Sequence, residues 1–349
     1  MADTLNIVLR NETPAAQLYA HITGSDDKGI VIMSADGKTP YRPTSPSDTL
    51  QPLGADCAIP LGGTGGSRTV AIPRISGGRI WFCKDKPLSF FVNPGPALFT
   101  WNAQELYANV SFVDFVGLPV SLQLKTGDGQ VKTVPGMPAD GLEQVCGKLE
   151  AQGKADGKGW EKLVVRDAGG APLRALSPNA GAVLVPGLFD GYYQSYVDAV
   201  WDKYTKEDLT VNTQFKWGDV TGRTSPDGKL LTFASSDGSS SITFGKPSAA
   251  DIFTCSTGPF AHGAGVSEEQ LNVGARLAAA LNRSTLLANA RQPEGEKVEG
   301  YYKEATTNHY ARGYAFPYDD VGASGGTDQS GFVNDPNPKE LTVCVGKPL

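Results

Sequence analysis

A single aspartate stands in an apolar stretch near the end of the first third of the sequence. Asp114 is the one carboxylate of "ANVSFVDFVGLPV", directly before a Gly-Leu-Pro turn. Aspartate is depleted in strands, and an unpaired carboxylate is costly to bury among apolar side chains. Two interpretations are open. Asp114 is a general base at the edge of a cleft, or it accepts backbone N–H bonds in the turn that follows.

A two-carboxylate hydrolase needs a second acidic residue. Glu105 is the nearest, nine positions before Asp114. If residues 106–116 form one regular strand, Asp114 lies on the same face as Leu106, and Glu105 faces the other way. The other candidates are Asp319 and Asp320 in "FPYDDVG". Adjacent side chains in extended chain point apart, so one of these can face a cleft while the other holds a loop.

Aromatic residues crowd around this second acidic motif. Five tyrosines and a phenylalanine fall between Tyr301 and Tyr318. Flat rings beside carboxylates and amides suit sugar rings, although an ordinary aromatic core has the same composition. His309, in "TTNHYAR", favours a structural hydrogen-bonding role over a catalytic one.

Composition and charge exclude several function classes. The net charge is −6 and no basic stripe is present, so nucleic acid is not an expected partner. No run of eighteen apolar residues predicts a membrane span. Five cysteines without a CxxC motif and three scattered histidines argue against a metal site and allow one or two disulfides. The Gly-rich stretch 60–68 lacks the lysine of a phosphate loop. We therefore expect no cofactor.

The order of patterns along the chain predicts a β-rich frame with an inserted α+β region. Short apolar or alternating runs separated by Gly, Pro, Ser and Asp fill the first third, and "SLQLKTGDGQVKTV" reads as a hairpin. Helical spacing appears after about Pro138, and strand-like sequence returns after about Glu299. The predicted division is a discontinuous β domain of residues 1–137 and 296–349, with a mixed α/β domain at 138–295.

The sequence resembles glycoside hydrolase family 64, the thaumatin-like endo-β-1,3-glucanases, most closely in its fungal form. The matching stretches occur in family order and cover nearly the whole chain: "GRIWFC", "PLSFFVNPGPAL", "LYANVSFVDFVGLP", "LRALSPN", "VWDKYT", "LNRSTLLAN", "TNHYAR" and "GYAFPYDDVG". The resemblance implies a mainly β fold. A thaumatin-like β-sandwich or barrel would stand beside a mixed α/β domain, with a β-1,3-glucan groove between them.

The family's chemistry is inverting hydrolysis by an acid and a base carboxylate. The resemblance maps the base to Asp114. It maps the residues expected to bind substrate to Thr100, Asn102, Tyr107, Asn308, His309, Tyr310, Asp319 and Asp320. The expected ligand is β-1,3-glucan or a laminari-oligosaccharide.

One departure from the family pattern concerns the acid. The family has a glutamate directly before an aromatic-Thr pair, and here Leu98 precedes Phe99-Thr100. The family also has a longer segment before that glutamate, whereas "NPGPAL" here runs straight into "FTWN". Leucine cannot donate a proton. Glu105 is a candidate substitute acid, and a non-catalytic glucan-binding protein is the alternative function.

The sequence also leads to expectations about oligomeric state and compartment. We expect a monomer. The first residues show no signal-peptide pattern, so the chain is either intracellular or written without its leader. Three Asn-X-Ser/Thr sequons, at Asn11, Asn109 and Asn282, weakly favour secretion. An extracellular location is therefore expected, with a cytoplasmic one as the alternative.

Overall fold

The computed structural model describes residues 4–43, 51–88, 90–91, 99–238, 241–287, 313–322, 330–347 and 349. The strands of these ranges are β1 Thr4–Asn11, β2 Leu18–Asp26, β3 Gly29–Met33, β4 Pro40–Tyr41, β5 Gln51–Pro52, β6 Ile59–Gly62, β7 Ser67–Pro73, β8 Ile75–Lys84, β9 Phe90–Phe91, β10 Phe99–Trp101, β11 Leu106–Asn109, β12 Phe115–Val116, β13 Val120–Thr126, β14 Val131–Val134, β15 Val164–Arg166, β16 Pro172–Leu176, β17 Leu209–Asn212, β18 Asp219–Thr224, β19 Leu230–Ala234, β20 Ser241–Gly245, β21 Phe332–Asp335 and β22 Pro338–Val345. The helices are α1 Gly141–Asp156, α2 Pro178–Leu184, α3 Gln194–Lys206, α4 Ala249–Thr254 and α5 Glu268–Asn282, with 3-10 turns at Trp160–Leu163 and Gly258–Phe260. The protein is mainly β with several sheets, as the sequence predicted.

The first sheet joins the two ends of the described chain. Its strand order is β14-β13-β22-β1-β7, and β22 runs parallel to β1 with Asn6 opposite Glu340. Leu5, Ile7 and Leu9 of β1 alternate into the core, because side chains in a strand alternate between faces. The final strand therefore lies in the same sheet as the first strand. The predicted β13–β14 hairpin is confirmed.

The second sheet carries the residues of chemical interest. Its order is β21-β11-β10-β8-β2-β3-β4, with β6 also paired to β2. Gly78, Phe99 and Ala108 are register partners across β8, β10 and β11. The Phe99 ring lies over the Cα of Gly78, where a Cβ would meet it at 2.5 Å. This face of the sheet packs into the core.

The mixed region contributes a four-stranded sheet, β17-β18-β19-β20, and most of the helices. Helix α5 begins after Ser267, whose side chain accepts the Gln270 N–H. Helix α3 begins at Gln194. Phe189 and Gly191 have left-handed backbone with φ of 67° and 70°, which interrupts a helix before that point.

One buried cluster runs through both regions of the chain. The small sheet β12-β16-β15 links them, because Phe115 pairs with Leu176. The division at 138 and 295 remains a prediction. No helix within the described ranges has the length and apolar character needed to cross a membrane.

The cysteines and sequons take ordinary core positions. All five cysteines are free thiols, and four of them are buried. The sequon residues Asn11, Asn109 and Asn282 are 0%, 7% and 5% exposed. Asn282 donates to the carbonyls of Ile252 and Ala278. None of the three asparagines offers its amide to a glycan in the folded chain, so the sequons lend no support to secretion.

Candidate active site

The predicted single strand over 106–116 is wrong, because it is interrupted after Asn109. Residues 110–112 leave the sheet and bond instead to residue 314: the Tyr314 N–H donates to Val110 O, and the Phe112 N–H donates to Tyr314 O. Regular pairing resumes only at β12. The alternation of faces therefore does not carry through from Glu105 to Asp114. The sequence pattern does not show that Tyr314 pairs with Val110 and Phe112.

Asp114 is held by contacts to both regions of the chain. Its backbone carbonyl accepts the Ser177 N–H at 2.9 Å, just ahead of α2. Its Oδ2 lies 3.1 Å from Nη1 of Arg79 on β8. The Asp114 side chain is 48% exposed, so water reaches the carboxylate, whereas the Arg79 side chain is 7% exposed. A half-exposed carboxylate fixed at one oxygen is suited to act as a base.

Arg79 is a cation in a buried place. Its guanidinium carbon lies 5.0 Å from the Trp81 ring centroid, within cation–π range. Burial lowers the pKa of Arg79, and the charge and hydrogen bond of Asp114 oppose that shift. Arg79 neighbours Gly78, so its side chain projects from the face opposite the core. Sequence reasoning missed this residue, because nothing in "GRIWFC" marks its partner 35 positions away.

Thr100 and Tyr107 share this face with Arg79. They are register partners on β10 and β11, one position from the core-facing Phe99 and Ala108. Thr100 Oγ1 accepts the Gly77 N–H at 3.4 Å. The Tyr107 ring stacks on Phe332 at 5.0 Å, and its hydroxyl lies 2.6 Å from that of Tyr314. Burial, followed by this hydrogen bond, raises the pKa of Tyr314. We call Arg79, Thr100, Tyr107 and Asp114 the candidate site.

Asn102 and Glu105 lie at the far end of the same hairpin. Asn102 Oδ1 accepts the N–H groups of Gln104 and Glu105, which shapes the turn. Glu105 Oε2 accepts from Asn334 Nδ2 at 3.0 Å. The register places Glu105 four strand positions from the level of Arg79, roughly 13 Å along the sheet. An inverting pair is about 6.5–9.5 Å apart. Glu105 is thus bound by Asn334 in the hairpin, and its role as a substitute acid stays a prediction.

The adjacent residues Asp319 and Asp320 differ in exposure: the Asp319 side chain is buried and that of Asp320 is exposed. The Asp319 side chain is 0% exposed and binds Arg283 Nη2 at 3.2 Å. Its Oδ2 accepts the Ala315 N–H at 2.9 Å. This structural role corrects the expected substrate contact of Asp319. Asp320 is exposed, and its charge contributes to the raised pKa of Tyr314.

The remaining predicted positions are outside the described residues: Asn308, His309, Tyr310 and Leu98. Within the described ranges, no group of three or more His, Cys, Asp and Glu residues is placed to hold a metal ion.

Comparison with known proteins decides the family. The model of glycoside hydrolase family 64, described as beta-1,3-glucanase, matches residues 3–98 and 97–345. This chain belongs to glycoside hydrolase family 64. The expected resemblance is therefore confirmed at the level of the family. The match is in two parts that meet at Leu98, the position where the family's glutamate was expected.

Two curated bacterial relatives of the family 64 chain are named glucan endo-1,3-beta-glucosidase. The protein of Cellulosimicrobium cellulans is 29% identical and that of Arthrobacter sp. (strain YCWD3) 28% identical, each over 381 residues and 97% of this chain. Those alignments are longer than the 349 residues of this chain, so the relatives carry residues that it lacks. The chain spans 64% of the length of each relative.

Solved family 64 structures share the fold. A laminaripentaose-producing beta-1,3-glucanase in complex with laminaritetraose is 27% identical, with a TM-score of 0.82 and 99% of both chains covered. A beta-1,3-glucanase domain from Clostridium beijerinckii is 19% identical, with a TM-score of 0.71, 99% of this chain and 98% of that chain covered. At the latter identity the likeness supports the fold alone.

Proposed function

We propose that this family 64 chain binds β-1,3-glucan and is an endo-β-1,3-glucanase-type hydrolase whose activity is reduced. The observation that carries the proposal is the Arg79–Asp114 pair on the sheet face shared with Thr100 and Tyr107. It supplies a water-accessible carboxylate beside an aromatic ring and a hydroxyl. A neutral polysaccharide needs rings for its C–H faces and few charges.

In the proposed inverting reaction Asp114 is the base. Its free oxygen accepts a proton from a water molecule, and the water oxygen attacks the anomeric carbon of the glucan. The bond from that carbon to the glycosidic oxygen breaks, and the oxygen leaves with the bonding electrons and takes a proton from an acid. Arg79 holds the other Asp114 oxygen. Proton NMR during the first turnovers tests the stereochemistry, because inversion of a β-linkage releases an α-anomer.

We propose reduced activity because the glutamate expected as the acid is absent from the position that Leu98 occupies. Of the buried polar atoms without a hydrogen-bond partner among the described residues, three lie near this level of the second sheet: Thr23 Oγ1, Arg79 Nε and Asn109 Oδ1. Thr23 is the register partner of Arg79, and both Arg79 and Asn109 lie one position beyond the Gly78–Phe99–Ala108 row. Buried polar groups are normally paired, and residues outside the described ranges can pair with these atoms. The reduced activity is therefore argued from the sequence, which has Leu98 where the family has a glutamate. The two-part family match at Leu98 supports the same interpretation.

A second candidate function is glucan binding without catalysis, and the leucine at the expected acid position favours it. Reducing-sugar release from laminarin, measured beside retention on insoluble β-1,3-glucan, separates the two functions. Retention with slow release supports the proposed reduced hydrolase. Retention with no release above an Asp114→Asn variant supports the binding protein. If the chain shows no retention on insoluble glucan and no release from laminarin, both functions are rejected.

Three finer expectations remain proposals. We infer a monomer, a thaumatin-like arrangement of the β domain and an extracellular location, with the cytoplasm as the alternative. A fungal origin gains no support from the curated relatives named above, which are bacterial. Light scattering tests the oligomeric state, and localisation of a tagged protein tests the compartment.

A further inference from the structure

A pair of aromatic rings, one exposed and one half-buried, lies at the tip of the β17–β18 hairpin, outside the candidate site. The rings of Phe215 and Trp217 are 5.2 Å apart between centroids. Between them, Lys216 places Nζ 4.9 Å from the Trp217 centroid and 5.7 Å from that of Phe215. Phe215 is 61% exposed. We call residues 213–218 the aromatic loop.

The backbone of the aromatic loop is internally bonded. Thr213 donates to Gly218 O from its N–H at 2.9 Å and from its hydroxyl at 2.7 Å. Gly218 N–H donates in turn to Phe215 O at 3.0 Å. Lys216 is further held by an ion pair of 3.4 Å with Glu268 at the start of α5. The rings are thus displayed in an ordered arrangement, which lowers the entropy cost of binding a ligand.

The aromatic loop is joined to the turn that carries Asp320. Gln214 Nε2 donates to Gly322 O at 2.9 Å. Arg276 of α5 donates to Asn212 O at 2.9 Å and interacts electrostatically with Asp320. Asp320 in turn interacts with Tyr314, whose hydroxyl contacts that of Tyr107. The aromatic loop is therefore hydrogen-bonded to the turn that carries Asp320, and electrostatic interactions connect that turn with Tyr314.

We propose that Phe215 and Trp217 form an accessory sugar-binding platform for β-1,3-glucan units remote from the cleaved bond. This inference rests on the proposed function. The exposed Phe215 ring and the half-buried Trp217 ring stack on the C–H faces of neutral sugars, and the Lys216 ammonium donates to hydroxyl groups. Only an oligosaccharide long enough to contact both the candidate site and the platform gains from the platform. The platform therefore discriminates between oligosaccharides by their length.

Calorimetry with laminaritriose and laminariheptaose tests the platform, using the full chain and a Phe215→Ala/Trp217→Ala variant. We expect the variant to bind laminariheptaose roughly threefold to tenfold more weakly and laminaritriose unchanged. Val183→Ala, at a 76%-exposed apolar position on α2, is the matched control and should bind both sugars as the unchanged chain does. Melting temperatures verify that each variant is folded.

The outcomes separate the platform from the proposed function. If the unchanged chain binds neither sugar, the proposed function fails and the platform fails with it. If the unchanged chain binds both sugars and the double variant binds laminariheptaose equally well, the platform alone is overturned. Equal weakening for both sugar lengths also overturns it, since that result places the rings at the candidate site.

Discussion

Arg79 holds Asp114 from a position that is itself almost closed to water. The guanidinium contacts the carboxylate at 3.1 Å, and the exposed fractions of the two side chains are 7% and 48%. The cation therefore depends on this carboxylate and the Trp81 ring, while the carboxylate keeps contact with solvent. The asymmetry makes Arg79 the more costly member of the pair to remove.

Replacing Arg79 tests that asymmetry. We expect Arg79→Met to lower the free energy of unfolding by about 1–2 kcal/mol, because it removes the ring contact and a partly screened ion pair. The matched control is Arg223→Met, which breaks a pair with Asp208 in which both side chains are 55% exposed. That variant should change stability by no more than about 0.5 kcal/mol. Urea unfolding measures both, and equal losses would contradict the prediction.

The acid hypothesis is tested at Leu98. We expect Leu98→Glu alone to recover little laminarin cleavage, because misplacement by about 1 Å costs roughly a hundredfold. A family-like segment ending in Glu-Phe-Thr should recover much more, and a further Asp114→Asn change should abolish that gain. Reducing-sugar assays measure each step. If the unmodified chain already hydrolyses laminarin with a turnover of about 1–10³ per second, the acid hypothesis is wrong.

The two adjacent aspartates should respond in opposite ways. Asp319→Ala leaves a partly buried Arg283 without its carboxylate and should cost about 3–5 kcal/mol of folding stability. Asp320→Ala should stay within about 0.5 kcal/mol, because the side chain is exposed. Calorimetry with laminari-oligosaccharides should show weaker binding for Asp320→Ala. A destabilised Asp320→Ala variant with normal binding would reverse this assignment.

His21 gives the fold a pH dependence. It is 3% exposed, and its Nε2 accepts the Leu88 N–H at 3.1 Å. Burial lowers the pKa of His21 below its usual 6.5, so the unfolded chain binds the proton more readily. The resulting stability is fully present above pH 6.5 and is lost as the pH falls through the folded pKa. Melting temperatures between pH 7 and 5 should fall, and His21→Gln should flatten that slope. An unchanged slope in His21→Gln would assign the dependence to other groups.

Short-range patterns predicted the strands of the first third and the β13–β14 hairpin, because period-two alternation and turn residues act within a few positions. Asp114 was also found from its apolar surroundings. The partners of the site could not be found in this way. Arg79 meets Asp114, and Tyr314 interrupts the strand after Asn109, through contacts between distant segments. The expected faces of Glu105 and Asp114 were wrong for the same reason. Side chains alternate between the two faces of a strand only while the strand remains paired without interruption.

The parallel pairing of β22 with β1 has a consequence for biosynthesis. β1 is synthesised before β22, its central partner, which follows over three hundred positions later. Until then the nascent chain carries an open strand edge, which is a template for misassociation. Such distant pairing also slows folding. A premature stop before Pro338 would divide the first sheet into two separate pieces and is expected to yield aggregates rather than a smaller enzyme.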